Sequence, residues 1–216
     1  MNIIDLYQHF QIIPILQLHQ LRVASVGQTI SQKFANLDSQ VITTACLLHD
    51  LGNILKIDFN SPLSTKTLTE TERSEYKKLK LEFQRQYGHD EHQATLQMIK
   101  EIGVNSQVFQ LIEAMCFTQI INTDFLASPL EQQICEYADM RVDPFGIVSL
   151  DDRLDDLEQR YQHRHPTAQD QQNRLKFAQL MKEVEKQIFA QIMIIPEQIT
   201  TTKLNGTIEH LKKFEI

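Results

Sequence analysis

The sequence predicts an all-α protein, a single domain of about eight helices around one core with a C-terminal helical extension. Two observations favour this class. Apolar residues recur at helical spacing through most of the 216 residues, between frequent helix start and stop signals. Strand signals are nearly absent, since the β-branched residues within 190–202 have no obvious partner strand. A chain of this length can bury a substantial core without disulfides or structural metals.

The first two predicted helices lie in the N-terminal quarter of the chain. An apolar stripe predicts a helix over residues 12–30, and Pro14 suits its first turn, where a missing N–H costs nothing. Ser39 as an N-cap predicts a second helix over residues 39–49. Residues 50–68 show no helical periodicity and are predicted to be irregular.

Most of the remaining predicted helices follow a capping residue, and several carry an apolar stripe. Their predicted extents are 69–87, 90–102, 106–115, 128–141, from 149 onward, 167–194 and 205–213. The clearest start is the capping box Thr69-Glu70-Thr71-Glu72, and Ser106 is a simpler predicted cap. The acidic cluster within 151–156 is predicted to be a solvated first turn that the helix dipole favours.

Composition points to one compact body. Six glycines, six prolines and the lack of a Gly/Ser-rich or Pro-rich stretch argue against a flexible linker. We expect a main helical domain over residues 1–150 and a C-terminal extension over 151–216 packed on the same core. The apolar stripe of residues 168–194 predicts either a core helix or a homodimer face, and both alternatives stay open.

Net charge and cysteine content limit which partners and which cellular compartment we expect. The net charge of −7 gives no general attraction for a nucleic-acid polymer or an acidic membrane, so neither partner is expected. No apolar run approaches the roughly 20 residues needed to span a bilayer. The start of the chain lacks the pattern of a signal peptide, and three cysteines without paired spacing are typical of a reduced protein. We therefore expect a soluble, cytoplasmic protein.

The stretch ACLLHDLGN, residues 45–53, ends an apolar run with two adjacent polar side chains, His49 and Asp50. A charge at a buried helix end must be paired or must coordinate a metal. Two other residues have comparable settings: His19 on a helix whose other face is apolar, and Asp139 between core residues. Each has an ordinary alternative, since a lone helical histidine is often packed and an aspartate can cap a helix.

Taken in order, three motifs make the pattern more specific. They are HQLRVA at residues 19–24, LLHDLG at 47–52 and YAD at 137–139. This order resembles the HD-domain superfamily of metal-dependent phosphohydrolases, and the resemblance covers about residues 15–145. It implies an HD-type helical bundle.

The resemblance also implies a metal site and an activity. In that superfamily the matching residues bind one divalent cation, so His19, His49, Asp50 and Asp139 are the predicted ligands. Imidazoles with carboxylates suit Mn²⁺, Fe²⁺, Co²⁺ or Zn²⁺ and, with enough water, Mg²⁺. The implied activity is hydrolysis of a small anionic phosphomonoester, with a nucleotide as one candidate.

Two departures from the family pattern concern the number of bound metal ions and the residue that activates the attacking water. Relatives with two metals often have a histidine pair where this chain has Met115-Cys116-Phe117, so one metal is expected. Asn53 stands where many relatives have lysine and some nucleotidases a carboxylate, and it is assigned to substrate binding. Those nucleotidases also carry a second aspartate, eight residues after the one that matches Asp50. In this chain that position is Asp58. Asp58 is therefore the predicted residue that orients or deprotonates the attacking water, and a loop cap is its alternative.

Four further residues complete the predicted site. Arg22 follows the first histidine by three residues, so a helix places both on one face, and its planar fork suits a phosphate. Lys56 is a second predicted phosphate contact. His92 is predicted to serve as an acid for the leaving group, with Glu91 as its partner. His89 is the alternative and is assigned to substrate binding.

Two other functions remain open at this stage. One is a non-catalytic, metal- or nucleotide-binding regulatory HD module, which Asn53 and the missing histidine pair would permit. The other is a di-iron oxygenase, which would need extra histidines. His163 and His165 lack partners in the motif order and are predicted to lie on the surface.

Overall fold

The computed structural model describes residues 1–162 and 167–216, and in this part of the chain we find twelve α-helices and no β-sheet. The helices are α1 Ile3–His9, α2 Pro14–Ser31, α3 Ser39–Leu48, α4 Pro62–Thr67, α5 Glu70–Tyr87, α6 Glu91–Ile102, α7 Ser106–Ala114, α8 Phe117–Asn122, α9 Leu130–Asp139, α10 Leu150–Tyr161, α11 Ala168–Phe189 and α12 Thr201–Leu211. The all-α prediction is confirmed. His163 and His165, for which the sequence predicts a surface location, lie outside the described residues.

Three of the twelve helices have no counterpart in the sequence-based prediction. They are α1, α4 and α8, which are only six or seven residues long. Two helical turns are too few for an apolar stripe to show its period, which explains why the sequence pattern missed them. The stretch after the pair His49-Asp50, here called the HD doublet, is consequently more ordered than predicted. It contains a short 3₁₀ helix over Asn53–Leu55 and then α4.

Most helix starts follow the capping chemistry, but two predicted caps are shifted by one residue, and α9 begins after Pro129 without the side-chain cap predicted at Ser128. The predicted capping box at the start of α5 is present. Helix α3 is capped by Asp38, whose side chain accepts from the backbone N–H groups of Gln40 and Val41, and not by Ser39. Helix α7 is likewise capped by Asn105 and not by Ser106. Asn, Asp and Ser cap almost equally well, so residue type alone could not choose between neighbours.

The core of the domain is formed by α2, α3 and α9, which pack against one another. A glycine allows the first two of these helices to approach closely. A Cβ atom added at Gly27 of α2 would lie 2.9 Å from the Sγ atom of Cys46 on α3. His19 lies on α2, Asp139 ends α9 and His49 directly follows α3, so the packing of the core fixes the relative positions of these side chains.

The turn after the HD doublet rests directly on α6. A Cβ atom on Gly52 would lie 2.4 Å from the carbonyl oxygen of Glu91 and 2.9 Å from the backbone nitrogen of Thr95. The backbone N–H of Gly52 also donates to the Thr95 hydroxyl at 3.0 Å. Only glycine permits this close approach, which holds the doublet against the start of α6.

The C-terminal helices pack on the same core. Arg141, just after α9, is 2% exposed and uses its guanidinium to join three segments. It donates to the carbonyl oxygens of Val148, Pro196 and Ile199 and to the hydroxyl of Tyr137. Helix α11 packs against α9, and α12 packs against α2. The predicted division at residue 150 stays a prediction. No helix in the two described ranges is both long and apolar enough to cross a bilayer.

Candidate metal centre

The orientation of His49 is set by its own helix. Its Nδ1 atom lies 2.9 Å from the carbonyl oxygen of Cys46, one turn earlier. A carbonyl can only accept, so Nδ1 carries the hydrogen and donates it. The side chain is only 4% exposed, and its Nε2 atom points away from the helix backbone towards α2 and α9. This arrangement leaves Nε2 as the ligand atom, which is the way a metal-binding histidine is held.

Three of the four predicted ligands meet at one point. The Nε2 atoms of His19 and His49 and a carboxylate oxygen of Asp139 lie within 4.8 Å of one another. Oδ1 of Asp139 is 2.9 Å from the first ring nitrogen and 3.5 Å from the second. The fourth, Asp50, places its Oδ2 atom 3.6 Å from each Nε2. The fold thus brings residues from positions 19 to 139 of the chain into one cluster.

This cluster lacks the hydrogen bonds that buried polar atoms normally have. Within the described residues, His49 Nε2 and Asp139 Oδ1 are both buried without a hydrogen-bond partner. The 2.9 Å approach of His19 to Asp139 is close, but it lacks the alignment of a hydrogen bond. Buried polar atoms without partners are costly. A divalent cation bound by two imidazole nitrogens and two carboxylate oxygens would satisfy them all, and this set of donors fits such a cation.

The charge state of the cluster follows from the same geometry. Burial opposes the imidazolium form of His49, but Asp50 and Asp139 outweigh burial and raise its pKa to about 10. Burial also opposes ionisation of Asp139, but the two imidazoles outweigh it and hold the pKa of this carboxyl well below its ordinary value. Without a metal, a proton on the imidazole therefore compensates the carboxylates. A cation must displace that proton in order to bind.

Two amide side chains hold Asp50. The Nδ2 atom of Asn53 donates to Oδ2 of Asp50 at 2.6 Å. Gln20, which is fully buried, accepts from the backbone N–H of Asp50 through its Oε1 atom at 3.4 Å. Sequence reasoning assigned Asn53 to the substrate and missed Gln20, because nothing in a single sequence shows where an amide points. Such contacts to ligands orient them and tune metal affinity.

Glu136 is a second residue that sequence reasoning missed. It lies one turn before Asp139 on α9, is 8% exposed and lines the same cavity as the cluster. Burial, together with the charges of Asp139 and Asp50, raises its pKa to about 8. The available signal was its position between the apolar residues of ICEYADM, where a charged residue needs a reason.

The cluster opens into a cavity of about 1000 Å³. This volume is at the upper end of the range for small-molecule sites. Its wall combines His19, Asp50 and Asp139 with apolar side chains such as Phe117 and Phe177. Basic residues also line it: Lys56, Arg153, Arg160, Arg174 and Lys182. A second cavity, of about 590 Å³, is lined by none of the predicted site residues.

Two of the predicted substrate contacts line the large cavity. One is Asn53, which is already engaged by Asp50. The other is Lys56, whose Nζ atom lies 3.2 Å from Oε1 of Glu91. Burial opposes the charge of Lys56, but the nearby Tyr161 and Glu91 outweigh it and raise its pKa above the ordinary value.

The other four predicted residues are not part of the wall that the described residues form. Asp58 is exposed, and its Oδ1 atom accepts from the backbone N–H of Asn60 at 2.9 Å, as a turn cap does. His92 places Nε2 3.2 Å from the carbonyl oxygen of Glu113, and His89 is exposed. Their predicted roles stay predictions.

Arg22 contacts the loop that follows α9. Its Nη1 atom donates to the carbonyl oxygen of Pro144 at 3.4 Å, and its Nε atom is buried with no partner in the described part of the chain. Burial lowers its pKa, against the opposing charge of Asp143. Arg22 is thus placed beside the loop of residues 141–148, and its predicted substrate contact stays a prediction.

Comparison with known proteins gives one match. The family model described as HD domain matches residues 17–157, which include all four predicted ligands. No curated protein and no solved structure matches the chain. The matched range is well over half of the chain and ends within α10.

Proposed function

The chain belongs to the HD-domain family, and from this premise we propose that it is a metal-dependent phosphohydrolase that acts on a small phosphomonoester, with a nucleotide as one candidate. The observation that carries the proposal is the convergence of His19, His49 and Asp139, joined by Asp50, on one wall of a large cavity. The family generally consists of hydrolases.

His19, His49, Asp50 and Asp139 would hold one divalent cation. Such a cation supplies Lewis-acid chemistry, since it polarises a phosphoryl oxygen and makes a neighbouring water molecule acidic enough to attack. The candidates for this ion are Mn²⁺, Fe²⁺, Co²⁺, Mg²⁺ and Zn²⁺. In the neutral imidazole that would bind the ion, the carbonyl oxygen of Cys46 holds the hydrogen on Nδ1, which leaves Nε2 of His49 as the ligand nitrogen.

Part of the remaining wall of the cavity suits a small anionic ester. Lys56 places a positive charge on the wall near Asp50, where it can contact a phosphate. The apolar side chains Phe117 and Phe177, with ring centroids 5.2 Å apart, offer a dry surface to the organic part of the substrate. A cavity enclosed by helices of one small domain suits a compact ligand better than a polymer.

The test is a screen of purified protein against a panel of phosphomonoesters with Mn²⁺, Co²⁺ or Mg²⁺. We expect metal-dependent release of phosphate from at least one compound. We also expect His49→Ala and Asp139→Asn each to reduce it by about 100-fold or more. His210→Ala, an exposed histidine on α12, is the matched control and should retain activity. Activity that survives both cluster variants would refute the proposal.

One observation favours a second candidate, a non-catalytic module that binds a metal or nucleotide. Neither of the positions at which related nucleotidases carry an additional carboxylate offers one to the cavity: Asn53 is an amide bound to Asp50, and Asp58 caps a turn. Tight binding of a nucleotide with Mn²⁺, without release of phosphate from any ester in the panel, would support this candidate instead.

A further inference from the structure

The cavity wall includes a buried arginine far from the ligand residues in sequence. Arg153 of α10 is 8% exposed, and its Nη1 atom donates to Oδ2 of Asp156 at 2.9 Å. Its Nε atom is buried with no partner among the described residues. Arg141, which is also buried, differs in this respect, because four acceptors surround its guanidinium. The protein therefore completes the hydrogen bonds of Arg141, whereas Arg153 lines the cavity and has one donor, Nε, without a partner in the described part of the chain.

A second arginine shares the same carboxylate. The Nη2 atom of Arg160 lies 2.5 Å from Oδ2 of Asp156, and its Nε atom is likewise buried without a partner in the described ranges. Positions 153, 156 and 160 are three and four residues apart, so they lie on one face of α10. Two guanidinium groups thus share one carboxylate, which leaves one excess positive charge on this face.

The neighbouring acidic residues are largely occupied by other cations. Asp151 pairs with Lys182 at 2.7 Å, and Glu158 pairs with Arg174 at 2.6 Å. Asp155 also lines the cavity, without a hydrogen bond to either arginine of the pair. Arg153 and Arg160 both line the cavity and share one carboxylate, so their guanidinium groups are available to a ligand there.

The ion pairs inside α10 do not by themselves explain a buried arginine. Pairs of this spacing contribute little to stability, and they form as well on an exposed helix face. Burying a guanidinium with open donors is unfavourable unless an acceptor completes its hydrogen bonds. A planar fork of N–H donors matches a phosphate or a carboxylate.

We propose that Arg153 and Arg160 form a second anion-binding subsite in this cavity, so that the substrate is a phosphomonoester with a second anionic group, a phosphate or a carboxylate. The proposal rests on the proposed function: the cluster of His19, His49 and Asp139 takes the ester to be cleaved, and the two guanidinium groups take the second anion. Leu154 and Leu157, on the same wall, contact the organic part between them.

The experiment compares pairs of esters that differ by one anion. Adenosine 5′-monophosphate is compared with adenosine 3′,5′-bisphosphate, and glycerol 3-phosphate with 3-phosphoglycerate. Dissociation constants are measured by calorimetry on Mn²⁺-loaded protein, and phosphate release is measured in parallel. We expect the second anion to tighten binding by about 10-fold or more in at least one pair, as charged hydrogen bonds do. The pair that responds distinguishes a phosphate from a carboxylate.

Arg153→Gln and Arg160→Gln should each remove most of this advantage while changing binding of the singly anionic ester by less than about threefold. Arg153→Lys keeps the charge but loses the fork, so it should restore only part of the advantage. The control is Arg85→Gln on α5, which is exposed and outside the cavity wall. Thermal unfolding of each variant checks that it folds, and Arg160, at 32% side-chain exposure, tolerates substitution better than Arg153.

The outcomes separate this proposal from the proposed function. If esters are hydrolysed but the second anion gives no advantage, or the advantage survives both glutamine variants, the subsite is refuted and the hydrolase stands. If the doubly anionic compounds bind through Arg153 and Arg160 but none is hydrolysed, the subsite stands and the hydrolase fails. If no compound binds or reacts, both are refuted.

Discussion

The side-chain amide of Asn53 donates a 2.6 Å hydrogen bond to Oδ2 of Asp50. This contact joins Asp50 to the first residue of the 3₁₀ helix that follows it, and Asp50 Oδ2 is the same atom that lies 3.6 Å from both imidazole nitrogens. The residue that departs from the family pattern in the sequence is therefore coupled to a predicted metal ligand. The hydrogen bond fixes the orientation of the Asp50 carboxylate.

Substitution of Asn53 should weaken metal binding. Asn53→Ala removes the donor, and Asn53→Asp replaces it with a charge that repels Asp50. We expect a loss of Mn²⁺ affinity of about 10-fold for alanine and up to about 100-fold for aspartate, measured by calorimetry. Asn205→Ala, an exposed amide on α12, is the matched control. Unchanged affinity in the aspartate variant would show that Asp50 does not bind the metal.

Metal binding should release a proton. Asp50 and Asp139 outweigh burial and raise the pKa of His49 to about 10, so the metal-free cluster is protonated at pH 7.5. The ion must displace this proton, and affinity should fall by about tenfold for each unit of pH decrease. Calorimetry in buffers of different ionisation enthalpy counts the protons, and we expect about one per ion. A binding enthalpy that is the same in all buffers would contradict this charge state.

The metal-free protein should lose stability as pH rises, in part through Glu136. Burial and nearby carboxylates raise its pKa from 4.5 to about 8 in the folded protein. A raised folded-state pKa gives stability that is fully present below pH 4.5 and is lost as pH rises towards 8. Glu136→Gln mimics the protonated form at every pH. Relative to wild type, its melting temperature should therefore increase from pH 5 to pH 9, by about 4 °C or more.

The measurement is thermal unfolding with a chelator present at pH 5, 7 and 9. His49 contributes with the same sign between pH 6.5 and about 10, and the comparison of wild type with Glu136→Gln cancels its share. Glu101→Gln, away from the large cavity, provides the control for a lost carboxylate. A difference between wild type and Glu136→Gln that is constant with pH would contradict the raised pKa.

Two glycines should respond in opposite directions to the same substitution. Gly52→Ala would push a Cβ atom into the backbone of α6, 2.4 Å from the carbonyl oxygen of Glu91. We expect it to lower the free energy of unfolding by about 1–3 kcal/mol. Gly206 lies inside α12, and no described atom is within 4 Å of its added Cβ. Gly206→Ala should therefore raise the free energy of unfolding by about 0.5–1 kcal/mol.

Urea unfolding at a fixed pH measures both glycine variants. The pair is informative because both changes add the same methyl group to the same residue type. If Gly52→Ala were as stable as wild type, the turn that contains Gly52 would not pack closely against the backbone of α6. Metal affinity of Gly52→Ala should fall with stability, since the turn carries Asp50.

The sequence allowed the fold class and the ligand cluster to be predicted, for different reasons. Helical periodicity and capping are local, so α2, α5 and α6 could be located from residue types alone. The four residues of the cluster could be named because motif order carries the family resemblance. The roles of Asn53, Gln20 and Glu136 could not, since each depends on the direction of one side chain in the folded protein.

The face of α10 shows the limit of pattern reasoning most clearly. The acidic residues of 151–156 indicated a solvated first turn, and the basic residues between and after them carried no motif. Only the packing of α10 beside α11, next to the cavity, buries Arg153. A periodic pattern of charges cannot distinguish a face turned to water from one turned to a ligand.

The most direct test of the central claim is the metal content of the protein. Elemental mass spectrometry measures the metal in two samples. One is protein purified without added metal, and the other is protein loaded with Mn²⁺ and then desalted. We predict one divalent ion per chain in the wild type and in His210→Ala, and less than about a tenth of an ion in His49→Ala and Asp139→Asn. A wild type that retains no ion, or cluster variants that retain as much as the wild type, would contradict the account.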